Sequence, residues 1–282
     1  MTAVVINGTA VALRIREEVR REVEKFKAKH GFPPGLATVL VGDDSASRMY
    51  VGMKHKACGE AGFYSENHAL PSSASQKDVE ALVKTLNESK KIHGILVQVP
   101  LPKHLDESRI LDLVSPSKDV DGFSSVNQGL LMKGEPPLVA ATPKGVIRLI
   151  EEVTSIAGKN VVVINRSTIV GKPLIFLLLN RDATVTVCHS KTKNLASHTR
   201  QADILITAVG KAGIIKAGMI KPGATVIDAG TAVVDGKARG DVAFDEAKEV
   251  AGHITPVPGG VGPMTIAMLL ENTLVAAKNA HL

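Results

Sequence analysis

The apolar residues of this chain recur in two rhythms. Short unbroken runs of Val, Ile and Leu read as buried strands. Longer charged segments with apolar residues three and four apart read as helices. The first helix spans 9–29, with Val11, Leu13, Ile15, Val19, Val23 and Phe26 among many charges. After the turn signal GFPPG (31–35), LATVLVG (36–42) is a strand. A helix follows over 45–62, with Asp44 or Ser45 able to cap its start and Gly62 able to end it. Next come a strand at 63–70, a helix from Ser75 to Asn87 and the strand HGILVQVPLP (93–102), which Pro100 and Pro102 stop just after Gln98. A helix at 106–114 and a loop, KDVDGF (118–123), close the first half; 124–141 reads as a linker.

The pattern resets at ATPKGVIRLIEEV (141–153), where Thr142 can cap and Pro143 fits the first helical position. Four more apolar runs follow: NVVVINRS (160–167), ATVTVCHSKT (183–192), ADILITAVG (202–210) and ATVIDAG (224–230). The first leads through a turn into the helix PLIFLLLN, so backbone N–H groups are expected to aim at an anion there. GDVAFD (240–245) reads as a plain turn at a sheet edge. PVPGGVGPMT (256–265) reads as a stiff, then flexible loop, with Pro263 opening a terminal helix.

Composition narrows the class. At 282 residues and 44% hydrophobic, the chain suits about two domains with a packed core, and with 3% aromatics and no Trp that core is aliphatic. The net charge of +6 is spread along the chain without a long basic run, which suits an anionic small ligand better than nucleic acid. Two cysteines, Cys58 and Cys188, lack metal-ligand spacing and suit a reducing compartment. The N-terminus lacks the basic region of a signal peptide, and no stretch is apolar and long enough to span a membrane. The expected location is the cytoplasm.

Candidate chemistry begins at 45–62. On a helix, Tyr50 and Lys54 share a face with Ser47 one turn earlier. A lysine desolvated beside a tyrosine becomes a usable acid/base; the plainer reading is an exposed lysine on an amphipathic helix. Gln98 interrupts an apolar strand, so its amide needs a partner: either a core hydrogen bond or a group in a cleft. Asp119 and Asp121 precede Gly122; they form either an Asx-capped turn or a fork acceptor for a ligand with paired N–H donors. His189 has no neighbouring ligand, so no metal is expected.

Three motifs in order carry a family resemblance: Ser47-x-x-Tyr50-Val51-x-x-Lys54, then Val97-Gln98-x-Pro100-Leu101-Pro102, then Lys118-Asp119-Val120-Asp121-Gly122-Phe123. Asn165-Arg166-Ser167-Thr168-Ile169-Val170-Gly171-Lys172-Pro173 and the string PGGVGPMT extend it. The chain resembles the bifunctional methylenetetrahydrofolate dehydrogenase/methenyltetrahydrofolate cyclohydrolase family.

The resemblance implies an α/β protein of two domains flanking a cleft, the second a Rossmann-like, doubly wound parallel sheet. Residues 1–123, completed by the terminal helix 263–282, would be the catalytic folate-binding domain, and 142–262 the cofactor domain. It implies oxidation of 5,10-methylenetetrahydrofolate by NADP⁺, hydrolysis of the methenyl product to 10-formyltetrahydrofolate, and a homodimer. Lys54 would be the acid/base, Tyr50 would stack on the substrate, Gln98 would tune Lys54, and Asp121 would anchor the pterin. Ser47, Pro100, Pro258, Gly259 and Gly260 would line the folate site, with basic side chains meeting a polyglutamate tail. Asn165, Arg166, Ser167, Gly171, Pro173, Ser190 and Thr231 would hold the cofactor. Asn165 replaces the family's first glycine, and Asn tolerates φ > 0, so the turn is expected to survive. No acid follows the second strand of this half; Ser190, Lys191 and Arg166 suit a 2′-phosphate, which favours NADP over NAD. Rival readings are a dehydrogenase without the hydrolase, a silent folate- or nucleotide-binding protein, and a shikimate-dehydrogenase-like enzyme.

Overall fold

The computed structural model describes residues 2–281. In chain order the strands are β1 (Val4–Val5), β2 (Gly35–Val41), β3 (Tyr64–Leu70), β4 (Gly94–Val97), β5 (Asn160–Ile164), β6 (Thr184–Cys188), β7 (Ile204–Thr207), β8 (Thr225–Asp228), β9 (Ala232–Val234), β10 (Lys237–Arg239) and β11 (His253–Ile254). The helices are α1 (Gly8–His30), α2 (Ser45–Glu60), α3 (Gln76–Glu88), α4 (Glu107–Leu113), α5 (Ser125–Lys133), α6 (Ala141–Glu151), α7 (Gly171–Leu179), α8 (Leu195–Thr199), α9 (Phe244–Ala247) and α10 (Val261–Asn279). They form two compact units: residues 14–141 with 266–282, and residues 1–13 with 142–265.

The unit built on 14–141 carries a parallel sheet in the order β3-β2-β4. All seven residues of β2 are buried, as expected of an unbroken apolar run in a central strand. Val39, Val41, Ile95 and Val97 pack with Val79 and Val83 of α3 and Ile110 of α4. Ser75 and Asp78 cap α3 reciprocally, which sets that helix against the sheet. The last helix closes this core: Asn272 Nδ2 on α10 donates to Val120 O (2.8 Å) and Val139 O (2.7 Å).

The other unit is a parallel sheet in the order β1-β11-β8-β7-β5-β6. Because β5 lies between β7 and β6, the chain winds outward in both directions from it, and the β5/β7 boundary is a topological switch point. Val162, Leu205, Val226, Ile215 and Ile254 fill its core.

The structure departs from the expected elements in four places. Residues 124–141 are not a bare linker: Ser124 caps α5 through Asn127 N, and Gly134 ends it in the left-handed region. Thr142 lies inside α6 rather than at its cap, and its hydroxyl meets Thr265 Oγ1 at 2.9 Å. The terminal helix starts at Val261, two residues before Pro263. Residues 1–13 join the cofactor unit, where β1 pairs with β11 at the sheet edge. Two-residue strands lack the run length from which periodicity is read.

Candidate active site

The catalytic candidates gather at the C-terminal edge of the β3-β2-β4 sheet. β2 ends at Val41, and Asp44 starts α2 by accepting from Ser47 N (2.7 Å). The helix therefore begins just past the strand and sets Tyr50 and Lys54 one turn apart. Gln98 is the first residue beyond β4, pinned by its N–H to Val39 O (2.8 Å). Lys54 Nζ donates to Gln98 Oε1 (3.0 Å), and Gln98 Nε2 donates to Val99 O (2.8 Å). An ammonium is only a donor, so this pairing fixes which end of the amide faces the lysine. The Gln98 amide is thus neither a core filler nor free.

Asp121 completes the cluster. Its segment runs alongside β4, where Ile95 pairs with Asp119 and Ile95 N donates to Lys118 O (2.7 Å). The two acids then part in role. Asp119, 4% exposed, accepts from Phe123 N, Ser124 N and Asn127 Nδ2, so it is the capped turn. Lys118 Nζ donates to the C-terminal carbonyls of α3 at Asn87 and Ser89 (2.8 Å each). Among the described residues Asp121 has no such structural bond, and it acts electrostatically on Lys54. Burial pushes the Lys54 ammonium below the ordinary lysine value, while Asp121 draws it back up. Burial likewise raises the Asp121 carboxyl to about 6, against the pull of Lys54 and with a further push from Asp119.

The other expected folate residues divide. Tyr50 is 44% exposed on the Lys54 face of its helix. Ser47 is buried, with its backbone and hydroxyl both engaged by Asp44, which is a capping role. Pro100 is exposed just after Gln98, and the peptides before Pro100 and Pro258 are both cis. Gly259 and Gly260 pack on the start of α1: Thr9 N donates to Gly259 O (3.0 Å). The concavity of about 430 Å³ in the first unit lies beside Arg48, Gly52 and Asn67, not at Lys54.

In the cofactor unit, β5 and β6 end in register at Ile164 and Cys188. Arg166 and Ser190, both exposed, therefore stand two residues beyond paired strand ends. The turn before α7 uses much of its own polar capacity. Ser167 N donates to Asn165 Oδ1 (2.7 Å), Val170 N and Gly171 N to Ser167 Oγ (3.1 and 3.4 Å), and Lys172 N to Ser167 O (2.9 Å). The N–H groups of Arg166, Thr168 and Ile169 have no protein partner among the described residues, so the open anion cradle is narrower than expected. Asn165 also survives for another reason than expected. It does not adopt positive φ; its amide bridges Ser167 N and the Ala208 carbonyl, joining the ends of β5 and β7. Gly171 is required beside it, since a Cβ there would lie 2.5 Å from Asn165 O. Pro173 is buried in the first turn of α7. Thr231 is exposed, and its carbonyl lies 3.5 Å from where a Cβ on Gly210 would be, so TAVG and DAGT adjoin.

Sequence reasoning missed Asp228 and Asp241. GDVAFD is more than a turn: Asp241 is fully buried and accepts from Thr207 Oγ1 (2.7 Å), Val209 N (2.5 Å) and Lys211 N (2.8 Å). The signal was an acid following a glycine, Gly240-Asp241, in an otherwise small and apolar segment. Among the described residues, no group of three or more His, Cys, Asp or Glu side chains could hold a metal ion, and no helix is long and apolar enough to cross a membrane.

A switch-point parallel sheet with a βα turn suited to phosphate in one unit, and a desolvated lysine in the other, are the parts of a dehydrogenase of the dinucleotide-binding class. The sequence matches the tetrahydrofolate dehydrogenase/cyclohydrolase catalytic-domain model over residues 6–121 and the NAD(P)-binding-domain model of that family over 140–281. It is 52% identical to the bifunctional protein FolD of Nitrosospira multiformis, over 100% of this chain and 98% of that relative. The fold matches the FolD methylenetetrahydrofolate dehydrogenase/cyclohydrolase of Campylobacter jejuni with a TM-score of 0.97, 45% identity and 99% of each chain covered. It also matches the Trypanosoma brucei dehydrogenase-cyclohydrolase, solved with NADP and an inhibitor, with a TM-score of 0.96 and 41% identity over 100% of this chain and 99% of that one. The chain belongs to the tetrahydrofolate dehydrogenase/cyclohydrolase family. It is an enzyme of two activities, an oxidoreductase and a hydrolase.

Proposed function

We propose that this enzyme oxidises 5,10-methylenetetrahydrofolate with NADP⁺ and hydrolyses the methenyl product to 10-formyltetrahydrofolate, with Lys54 carrying the proton transfers. The observation that carries the assignment is the half-buried Lys54 Nζ, held 3.0 Å from Gln98 Oε1 and facing the charge of Asp121. NADP, when bound, supplies the hydride acceptor. Its pyrophosphate suits the open N–H groups of Arg166, Thr168 and Ile169. Its 2′-phosphate suits the Arg166 guanidinium with Ser190, since no carboxylate follows β6 to bind a free ribose 2′-hydroxyl.

In the hydrolytic step water adds to the cationic methenyl carbon. The neutral Lys54 amine takes the proton that this water loses, and the ammonium returns it to the ring nitrogen whose C–N bond breaks. The hydroxyl left on that carbon gives its remaining proton to solvent as the formyl C=O forms, so one proton is released overall. Gln98 holds the amine in place through both transfers. Asp121 stabilises the ammonium form and accepts from the pterin's amino-pyrimidine edge, as a carboxylate does from paired N–H donors. Tyr50 supplies an exposed ring for stacking on the substrate.

The enzyme works in the cytoplasm as a homodimer joined through the cofactor unit. The outward side of α7 supports this, with Leu179 47% exposed and Ile175 and Phe176 half-buried beside the edge strand β6. A polyglutamate tail on the folate suits the net positive charge. The test is an assay with methylenetetrahydrofolate and NADP⁺ or NAD⁺, following reduced nicotinamide and the methenyl chromophore separately. Fast reduction with NADP⁺ and little methenyl build-up is expected. Methenyl accumulation would remove the hydrolase, and no reduction with either cofactor would overturn the reading.

A further inference from the structure

Two segments of the cofactor unit lock together at the open ends of β7 and β8. Asp228 ends β8, and Gly230 follows it; Gly240 and Asp241 come from the loop after the β9-β10 hairpin. Each carboxylate packs against the other segment's glycine. A Cβ on Gly230 would lie 2.1 Å from Asp241 Cγ, and one on Gly240 would lie 2.1 Å from Asp228 Oδ2. Glycine at both positions is what lets two acids approach each other in a dry place. Asp228 is 2% exposed and Asp241 is fully buried.

Among the described residues, neither acid has a cationic side chain as a bonded partner. Asp228 accepts from Gly230 N (2.9 Å) and Val242 N (2.8 Å), and Thr255 Oγ1 accepts from its backbone N–H (2.8 Å). Asp241 accepts from the Thr207 hydroxyl and the Val209 and Lys211 N–H groups. Dipoles therefore hold this charge without neutralising it. A buried negative potential acts over a longer range than an exposed one, because less water screens it. Burial and Asp241 together lift Asp228 to about 6, which is the mark of a carboxylate that lacks a counter-charge.

In a doubly wound sheet the dinucleotide crosses the switch point, with its pyrophosphate on the first βα turn and its 2′-phosphate end toward the second strand. Those features lie at β5 and β6 here, so the nicotinamide half falls toward β7 and β8. An oxidised nicotinamide ring is cationic, and a reduced one is neutral.

We infer that the interlocked pair Asp228 and Asp241 gives the cofactor unit a preference for the oxidised nicotinamide over the reduced one. The inference rests on NADP being the cofactor, as read above. The two carboxylates act as positioning and field groups and need not touch the ring. They also tie the 207–211 loop to the 240–242 loop, so the potential and the shape of the subsite come from the same bonds. The consequence for catalysis is direct: the pair favours binding of the substrate form of the cofactor and release of the product form.

The test is calorimetric titration of the whole enzyme with NADP⁺ and, separately, NADPH. Wild-type protein is expected to bind NADP⁺ more tightly. Asp228→Asn, nearly isosteric, should lower the ratio of the two affinities by about threefold to tenfold, as loss of one poorly screened charge would. A merely structural role would weaken both ligands together and leave the ratio unchanged, and that result overturns the inference. If the variant does not fold, the wild-type ratio is measured at pH 8 and at pH 5.5. Among the described residues, Asp241 is the charged group that faces Asp228; Thr255, Val242 and Gly230 present only hydroxyl or N–H groups. The ratio should fall at the lower pH, because both ligands share the same phosphates and their own titration cancels. A ratio constant across that range contradicts the inference. Failure of either cofactor to bind at all removes the NADP reading as well.

Discussion

Asp121 and Asp228 share a physical state and differ in company. Burial raises both carboxyls to about 6. Asp121 faces a lysine that is itself desolvated, so the two groups hold each other's charge and proton occupancy becomes adjustable. Asp228 faces a second carboxylate and a set of backbone dipoles, so its charge is tolerated rather than paired. The first arrangement is suited to moving protons, and the second to setting a potential. A shifted pKa therefore marks a desolvated acid, and only the neighbours tell what that acid does.

The comparison breaks most visibly at Lys54. Lys54→Met should slow methenyltetrahydrofolate hydrolysis by about a hundredfold or more, the usual worth of a general acid/base, while the melting temperature stays near the wild-type value. Disappearance of methenyl absorbance and a thermal melt check both halves. Asp121→Ala should weaken folate binding by about tenfold to a hundredfold, as loss of a charged hydrogen-bond acceptor does, with NADP binding much less changed. Titration with each ligand checks this, and equal losses would make Asp121 a structural acid like Asp119.

The pH profile sharpens the contrast. Below about pH 6 Asp121 takes up a proton and ceases to draw pterin N–H donors, so folate affinity should fall on that side. Its stability effect has the opposite sign. The folded value lies above the ordinary 3.8, so the folded state binds the extra proton, and this group costs stability as pH rises from about 4 to about 6. Folate Kd and thermal melts across pH 4.5 to 8 separate the two.

The smallest effect lies away from both acids. His93 is buried among Phe26, His30, Phe32 and His281. Its Nδ1 accepts from Gly35 N (3.0 Å), so its Nε2 carries the hydrogen toward His281 Nε2 (3.1 Å). Burial, with His281, Lys118 and His30, lowers it from 6.5 to about 4. The unfolded chain binds that proton first, so stability present above about pH 6.5 should be lost as pH falls toward 4, by on the order of 2 kcal/mol. Urea unfolding at pH 7 and pH 5 measures this, and His93→Phe should flatten the difference.

Much of the fold was legible because buried parallel strands announce themselves as apolar runs, and the α2 helix carried its own cap signal at Asp44. The Lys54, Gln98 and Asp121 cluster was legible because each residue interrupts its surroundings: a lysine facing a tyrosine, an amide in a strand, an acid before a glycine. What was not legible depends on pairing across long separations. Nothing local in Asp228 or Asp241 tells that each packs on the other's glycine. Asn165 was read for its backbone tolerance, whereas its side chain makes the turn by reaching Ala208 on another strand. The division of labour between Asp119 and Asp121 needed Asn127, a residue from the supposed linker.

The most direct test of the account is an NMR titration of the Lys54 side chain in the wild type and in Asp121→Asn. Lys54 is expected to titrate below the ordinary lysine value of 10.5, and lower still in Asp121→Asn, where the carboxylate that supports its ammonium is gone. A Lys54 that titrates as an ordinary surface lysine, or one indifferent to Asp121, would contradict the assignment of this pair as the proton-transfer site.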